Sequence, residues 1–261
     1  MHYVQDRADS KRYALKLTNP EKRKKYRSRF TGMDLPREGQ ILQSIDSPFV
    51  VRCYEEGLTT SDQEYCLMEF IDGGTLESLC QQNRIGLPQR LTFAHSMAGA
   101  ALAVRDAGFV HRSISLDNFV SDYKMTKVVL IDFANAVPNK PEFLLKMGRE
   151  GNTQFMAPEI LRRKSQSAQI DTFSLGISIY WMLTNQHPWG LTENSAAHAI
   201  QFDTHDPVPV IERLPNLEPR VANVIDQCLS ANPDERPSLQ YVARVLSKSN
   251  DAVQTRKMKT R

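Results

Sequence analysis

The stretch His111-Arg112-Ser113-Ile114-Ser115-Leu116-Asp117-Asn118 decides how the rest of this chain is read. Towards the C-terminus it is followed by Asp132-Phe133-Ala134 and Ala157-Pro158-Glu159. Beyond these stand Asp171-Thr172-Phe173-Ser174-Leu175-Gly176 and Asn232-Pro233-Asp234-Glu235-Arg236-Pro237. Towards the N-terminus it is preceded by Tyr13-Ala14-Leu15-Lys16 and by Glu38, which Ile41-Leu42 follow. Each fragment alone says little. Their order and intervals across nearly the whole chain carry the argument.

Around these motifs the pattern changes once. Arg12 to Leu17 alternates as a strand does, and Phe49 to Tyr54 and Tyr65 to Phe70 read as two more, with polar Thr59 to Glu64 as their turn. From there on the pattern is helical: Leu91 to Ala107 is rich in alanine with apolar residues at helical spacing, and Asp171 to Thr184 and Arg220 to Ser230 behave alike. A turn signal at Asp72-Gly73-Gly74 marks the change. The expectation is an α+β protein of two lobes, a small sheet-rich one and a larger helical one.

The chain has 261 residues, 41% hydrophobic and 24% charged, ordinary values for a globular protein with a sizeable core. The most apolar stretch, Phe173 to Leu183, is short and broken by Ser174, Gly176 and Ser178, so no membrane partner is expected. The first residues lack an apolar signal region. The 4 cysteines (Cys53, Cys66, Cys80, Cys228) form no CxxC pair, which speaks against zinc or disulfides and for a reducing compartment, cytoplasmic or nuclear. A net charge of +3 is too small to imply nucleic acid. The basic runs Lys22 to Arg29 and Arg256 to Arg261 read as a solvated loop and a tail, with contact to an acidic partner as the alternative.

In this order the motifs resemble those of protein kinases, of the serine/threonine type. The resemblance implies a protein-kinase-like fold over 1–246, with an antiparallel-sheet N-lobe (about 1–71), a mainly helical C-lobe (about 75–246) and a basic tail over 247–261. It implies that Lys16 is the phosphate-binding lysine and Glu38 its partner, that Asn118 and Asp132 are the Mg²⁺ ligands, and that Val4, Ala14, Met68, Glu69 and Val120 border the nucleotide. Glu159 then pairs with Arg236, Asp171 anchors the backbone of the loop at His111 and Arg112, and Cys53, Leu42, Phe133 and His111 stack between the lobes. Arg112 holds the place that reads an activation-segment phosphate.

Departures from the family are as informative. Ser113 stands where the catalytic aspartate belongs, and a serine hydroxyl has no useful basicity near neutral pH. A general base is worth about 10²–10⁴ in rate. Ser115 replaces a lysine that neutralises phosphoryl charge. Asp117 is a nearby carboxylate, but its place beside Asn118 aims it elsewhere. Ala134 replaces the glycine of the Asp-Phe-Gly motif and should restrict that segment. Only Met1 to Leu15 precede Lys16, so a truncated sheet without the glycine-rich phosphate lid is expected. Pro36, Gly32 and Gly39 weaken the helix that carries Glu38. It is expected to start late, with Asp34 or Leu35 near its cap and Pro36 in its first turn, and the Lys16–Glu38 pair to form only part of the time. The reading that follows is a pseudokinase with weak or no ATP and Mg²⁺ binding, acting as a scaffold or allosteric partner of another protein; neither ligand is required for the scaffold role. The alternative is an active or weakly active ATP-dependent serine/threonine kinase.

Overall fold

Short alternating segments build an antiparallel sheet from β1 (His2–Gln5), β2 (Arg12–Leu17), β3 (Cys53–Leu58) and β4 (Glu64–Glu69), in the order β1-β2-β4-β3. The computed structural model describes residues 2–6, 10–146, 148, 151–162, 167–190 and 205–248. In the sheet, Ala14 lies opposite Met68 and Lys16 opposite Cys66. Ala14, Cys66 and Met68 are buried while Tyr13, Leu15 and Leu67 are half-buried, the two-residue period of a sheet with one covered face.

The strand expected at Phe49 to Tyr54 begins only at Cys53. Val50 and Val51 serve the other lobe: Val50 bridges Leu130, and the Val51 amide donates to the Leu130 carbonyl at 3.0 Å. Both are buried, so a β-favouring pair is drawn into an inter-lobe contact that local sequence cannot show.

The basic run is also corrected, because Pro20–Arg27 forms helix α1. Asn19 caps it by accepting from the Lys22 amide at 2.9 Å, Pro20 opens it, and its charges suit its dipole, with Glu21 first and Lys24, Lys25 and Arg27 last. Its Arg23 and Tyr26 are buried. The next helix, α2 (Glu38–Gln43), has 6 residues and Arg37 at its N-cap. It starts later than expected: Asp34 and Leu35 lie outside it and Pro36 precedes the cap, where its missing N–H costs nothing.

Beyond Gly73 and Gly74 the chain is mainly helical, with α3 (Leu76–Gln81), α4 (Leu87–Asp106), α5 (Pro141–Leu144), α6 (Pro158–Leu161) and α7 (Gln169–Thr184). Helices Val210–Arg213 and Pro219–Cys228 and a helical stretch over 239–248 follow. Nearly every residue of α7 is buried, and α4, itself burying Phe93, Met97 and Ala101, packs along it. Two short antiparallel pairs, β5 (Phe109–Val110) with β8 (Val137–Pro138) and β6 (Phe119–Ser121) with β7 (Val128–Leu130), carry the loops at the lobe junction. Gly73 belongs to this junction, since a Cβ there would fall 2.0 Å from the Ser121 carbonyl oxygen. Among the described residues no helix is long and apolar enough to cross a membrane. The tail expected over 247–261 lies outside the described residues from 249 onward.

Candidate active site

Three charged side chains meet at the lobe junction. Lys16 Nζ, from β2, donates to Glu38 Oε1 at 2.8 Å and to Asp132 Oδ1, just after β7, at 2.6 Å. Burial pulls the Lys16 ammonium down, but Glu38 and Asp132 outweigh it and hold it above its ordinary value. For Asp132 burial works upward and Lys16 prevails, leaving the carboxyl below its usual range. Glu38 is the most deeply buried of the three, and burial keeps its carboxyl above the usual range despite Lys16. Glu38 Oε1 also accepts from the Phe133 amide at 2.8 Å, which ties α2 to the segment after β7. The Lys16–Glu38 pair, expected to form only part of the time, is closed in this structure, and the shortness of α2 does not prevent it. Asp132 takes the left-handed conformation at φ 61°, whereas Ala134 is not among the residues at positive φ. The Cβ of Ala134 thus brings no backbone strain to this arrangement.

The loop from His111 to Asn118 is suspended from α7. Asp171, in the first turn of α7, accepts from the His111 amide at 2.6 Å and from the Arg112 amide at 2.8 Å. Burial pushes the Asp171 carboxyl up to about 6 and the His111 imidazole down to about 4. The His111 ring meets Phe133 edge-on at 4.5 Å. Leu42, Phe133 and His111 are buried and Cys53 is half-buried. Asn118 Nδ2 donates to the Ser113 carbonyl at 2.7 Å. Ser113 Oγ accepts from Asn135 Nδ2 at 2.9 Å, and the Ser115 hydroxyl donates to Asp117 Oδ1. The carboxylate of Asp117 is engaged by Ser115 rather than by Ser113.

Two contributors escaped sequence reasoning, Asn135 and helix α1. The Tyr26 hydroxyl donates to the Asn135 carbonyl at 2.9 Å and accepts from Arg112 Nη1 at 3.0 Å. Arg23 donates to the Ala134 carbonyl at 3.3 Å and to the Pro36 carbonyl at 3.1 Å. The signal for the helix was present in Asn19-Pro20-Glu21, a cap, an N-terminal proline and a first-turn acid. Its inward use of an arginine and a tyrosine had no local signal.

Of the other expected residues, Ala14 and Met68 are buried and Val4 and Val120 half-buried; Val4 pairs with Tyr13, and Val120 bridges Thr75. The Glu69 carboxylate is taken by Lys127 Nζ at 2.6 Å. Arg236 donates from both terminal nitrogens to Glu159, at 2.7 and 2.8 Å, in a fully buried bidentate pair. Asn118 commits its amide nitrogen and Asp132 its Oδ1, which leaves an oxygen acceptor on each. Two hard oxygens suit Mg²⁺, which keeps several waters and is completed by substrate phosphates. Among the described residues no cluster of three or more His, Cys, Asp or Glu offers a closed metal cage.

A family profile described as "Protein kinase domain" matches residues 2–246. The chain is 28% identical over 206 residues to "Serine/threonine-protein kinase PknB" of Mycolicibacterium smegmatis, covering 77% of this chain and 33% of that protein. It is 31% identical over 256 residues to "Calcium-dependent protein kinase 9" of Oryza sativa subsp. japonica, covering 92% and 42%. With "Hormonally up-regulated neu tumor-associated kinase" of Mus musculus it shares 27% over 236 residues, covering 87% and 31%. The chain therefore spans about a third of the length of the first of these relatives, 33% in the case of the mycobacterial kinase.

Proposed function

The chain belongs to the protein kinase domain family, and from that premise we propose that it is a pseudokinase, a kinase-shaped module that engages a protein partner and does not transfer phosphate at a useful rate. The observation that carries this reading is the occupancy of the loop. Ser113 stands at the position of the proton acceptor, its Oγ is held by Asn135, and the neighbouring carboxylate, Asp117, is turned to Ser115. A general base must be within hydrogen-bond reach of the proton it takes, and its loss costs about 10²–10⁴ in rate. The lysine position at Ser115 adds a second deficit at the same chemical step, so the two are not summed.

The cleft keeps the means to hold a nucleotide weakly. In this reading Lys16 binds phosphate, Asn118 and Asp132 hold Mg²⁺, and Ala14, Val4, Val120, Met68 and the chain at Glu69 border the base. Bound Mg²⁺ would neutralise phosphate charge. Lys16 commits two of its three N–H donors to Glu38 and Asp132, whose charge a nucleotide phosphate must compete with. The intact Lys16–Glu38 pair also supports a second reading, a weakly active serine/threonine kinase, because phosphoryl transfer depends mostly on positioning and charge. Single-turnover transfer from Mg·ATP to a serine/threonine peptide separates the two. We expect the wild type to match a Lys16→Met control; transfer that Lys16→Met abolishes would overturn the pseudokinase reading.

A further inference from the structure

Helix α1 does more than pair its arginines with Glu64 at the start of β4. Its buried face reaches past α2 to the backbone after Asp132, where the Tyr26 hydroxyl acts as donor and acceptor at once. It donates to the Asn135 carbonyl (2.9 Å) and accepts from Arg112 Nη1 (3.0 Å). The same guanidinium donates to the Asn135 carbonyl at 3.3 Å and, through Nη2, to the Gly148 carbonyl at 3.1 Å. Arg23, one turn back on α1, donates to the Ala134 carbonyl at 3.3 Å and is ion-paired with Glu64 at 3.0 Å. The side chain of Asn135 continues the chain of bonds to Ser113 Oγ at 2.9 Å. Tyr26 is itself wedged by Phe30, whose ring lies 5.4 Å away, and Phe30 by Phe143 at 5.8 Å.

We propose that Tyr26 is a positioning residue, a clasp built into α1 that holds Arg112 and Asn135 together and, through Asn135, sets the orientation of Ser113. A single hydroxyl joins three parts of the chain that are far apart in sequence, and no other atom of α1 supplies both a donor and an acceptor there. Burial raises the Tyr26 phenol above its ordinary value, so it stays protonated and keeps its donor. Because the clasp is part of the folded chain, the loop is held without any group being added to the segment between Asp132 and Glu159. The proposal stands whether or not the cleft transfers phosphate, so its failure and that of the pseudokinase reading are separate results.

Hydrogen exchange on the full chain tests it. The amides of Ala134 and Ala136 are bonded to Asp132 Oδ1 and to the Phe133 carbonyl, and the Ser113 amide to His111 Nδ1, so they report on this region. In Tyr26→Phe, which keeps the ring, we expect these amides to exchange roughly tenfold faster while those of α7 are unchanged. Arg112→Lys should produce the same local change, and the double variant little more than either single one. The ¹³Cζ resonance of Tyr26, assigned by its loss in Tyr26→Phe, should move in Arg112→Lys. Wild-type exchange in Tyr26→Phe, acceleration spread evenly over the molecule, additive effects in the double variant, or an unmoved Tyr26 resonance would each overturn the clasp.

Discussion

Ser113 illustrates what one side chain settles and what its neighbours settle. That position 113 holds a serine is visible in the chain itself, but the capture of Ser113 by Asn135 and of Asp117 by Ser115 depends on how the loop folds in space. His111 gives a prediction at the same scale. Its folded value of about 4 lies below the ordinary 6.5, so protons favour the unfolded chain as pH falls through that window. The stabilisation is present above pH 6.5 and is lost towards pH 4, amounting to about 3 kcal/mol. Asp171 works the other way, since its value of about 6 lies above 3.8 and its protonation favours the folded state over an overlapping range. Comparing wild type with His111→Gln by urea denaturation from pH 7 to 4 cancels the Asp171 part; the wild type should lose the larger share of stability on acidification. Glu159 offers a second test. Glu159→Leu strands a buried guanidinium and should cost about 3–5 kcal/mol, with Glu159→Leu/Arg236→Met costing less than the sum of the single changes.

At the scale of the element, α2 reverses a sequence-level argument. Gly39 reads as a weak point in a helix, worth about 1 kcal/mol against alanine. In the fold, a Cβ at Gly39 would lie 2.2 Å from the Glu56 Cβ and 3.1 Å from the Cys66 sulfur. The helix lies directly on β3 and β4, and its closeness is what lets Glu38, its first residue, reach Lys16. Gly39→Ala should therefore destabilise by about 1–3 kcal/mol, as overpacking does, in place of the gain that propensity suggests; equilibrium denaturation reads the sign directly. Helix α1 is the opposite case. Its cap, proline and charge order were legible, and only a preference for reading basic runs as solvated loops hid it. The burial of Arg23 and Tyr26 was not legible, because their inward turn depends on the Ala134 and Asn135 carbonyls, which lie more than a hundred residues away in the chain.

At the scale of the whole molecule, the two lobes meet through Lys16, Glu38 and Asp132 on one side and Tyr26, Arg112 and Asn135 on the other. In the proposed function a nucleotide would engage the first group and compete with its ion pairs, so titration with ATP should raise the melting temperature only slightly. A tight ligand adds about 2.7 kcal/mol at a hundredfold excess over Kd, and a large Mg²⁺-dependent shift would favour the active-kinase reading. The exposed Thr153 lies outside both groups, so Thr153→Glu should leave transfer at the background of Lys16→Met, as a single-turnover assay would show. What the sequence alone determined is the family, the two-lobed α+β plan, the residue types of the Glu159–Arg236 and Asp171 anchors and the serine at position 113 on which the proposed function rests. These are legible because each is a fixed residue type at a fixed interval. Only the tertiary structure decided that Lys16 and Glu38 meet despite a helix of 6 residues, that Gly39 is a contact and not a flaw, and that α1 closes on Arg112. Those outcomes rest on distances between segments remote in the chain, and such distances are set by packing the whole core at once, which no local pattern encodes.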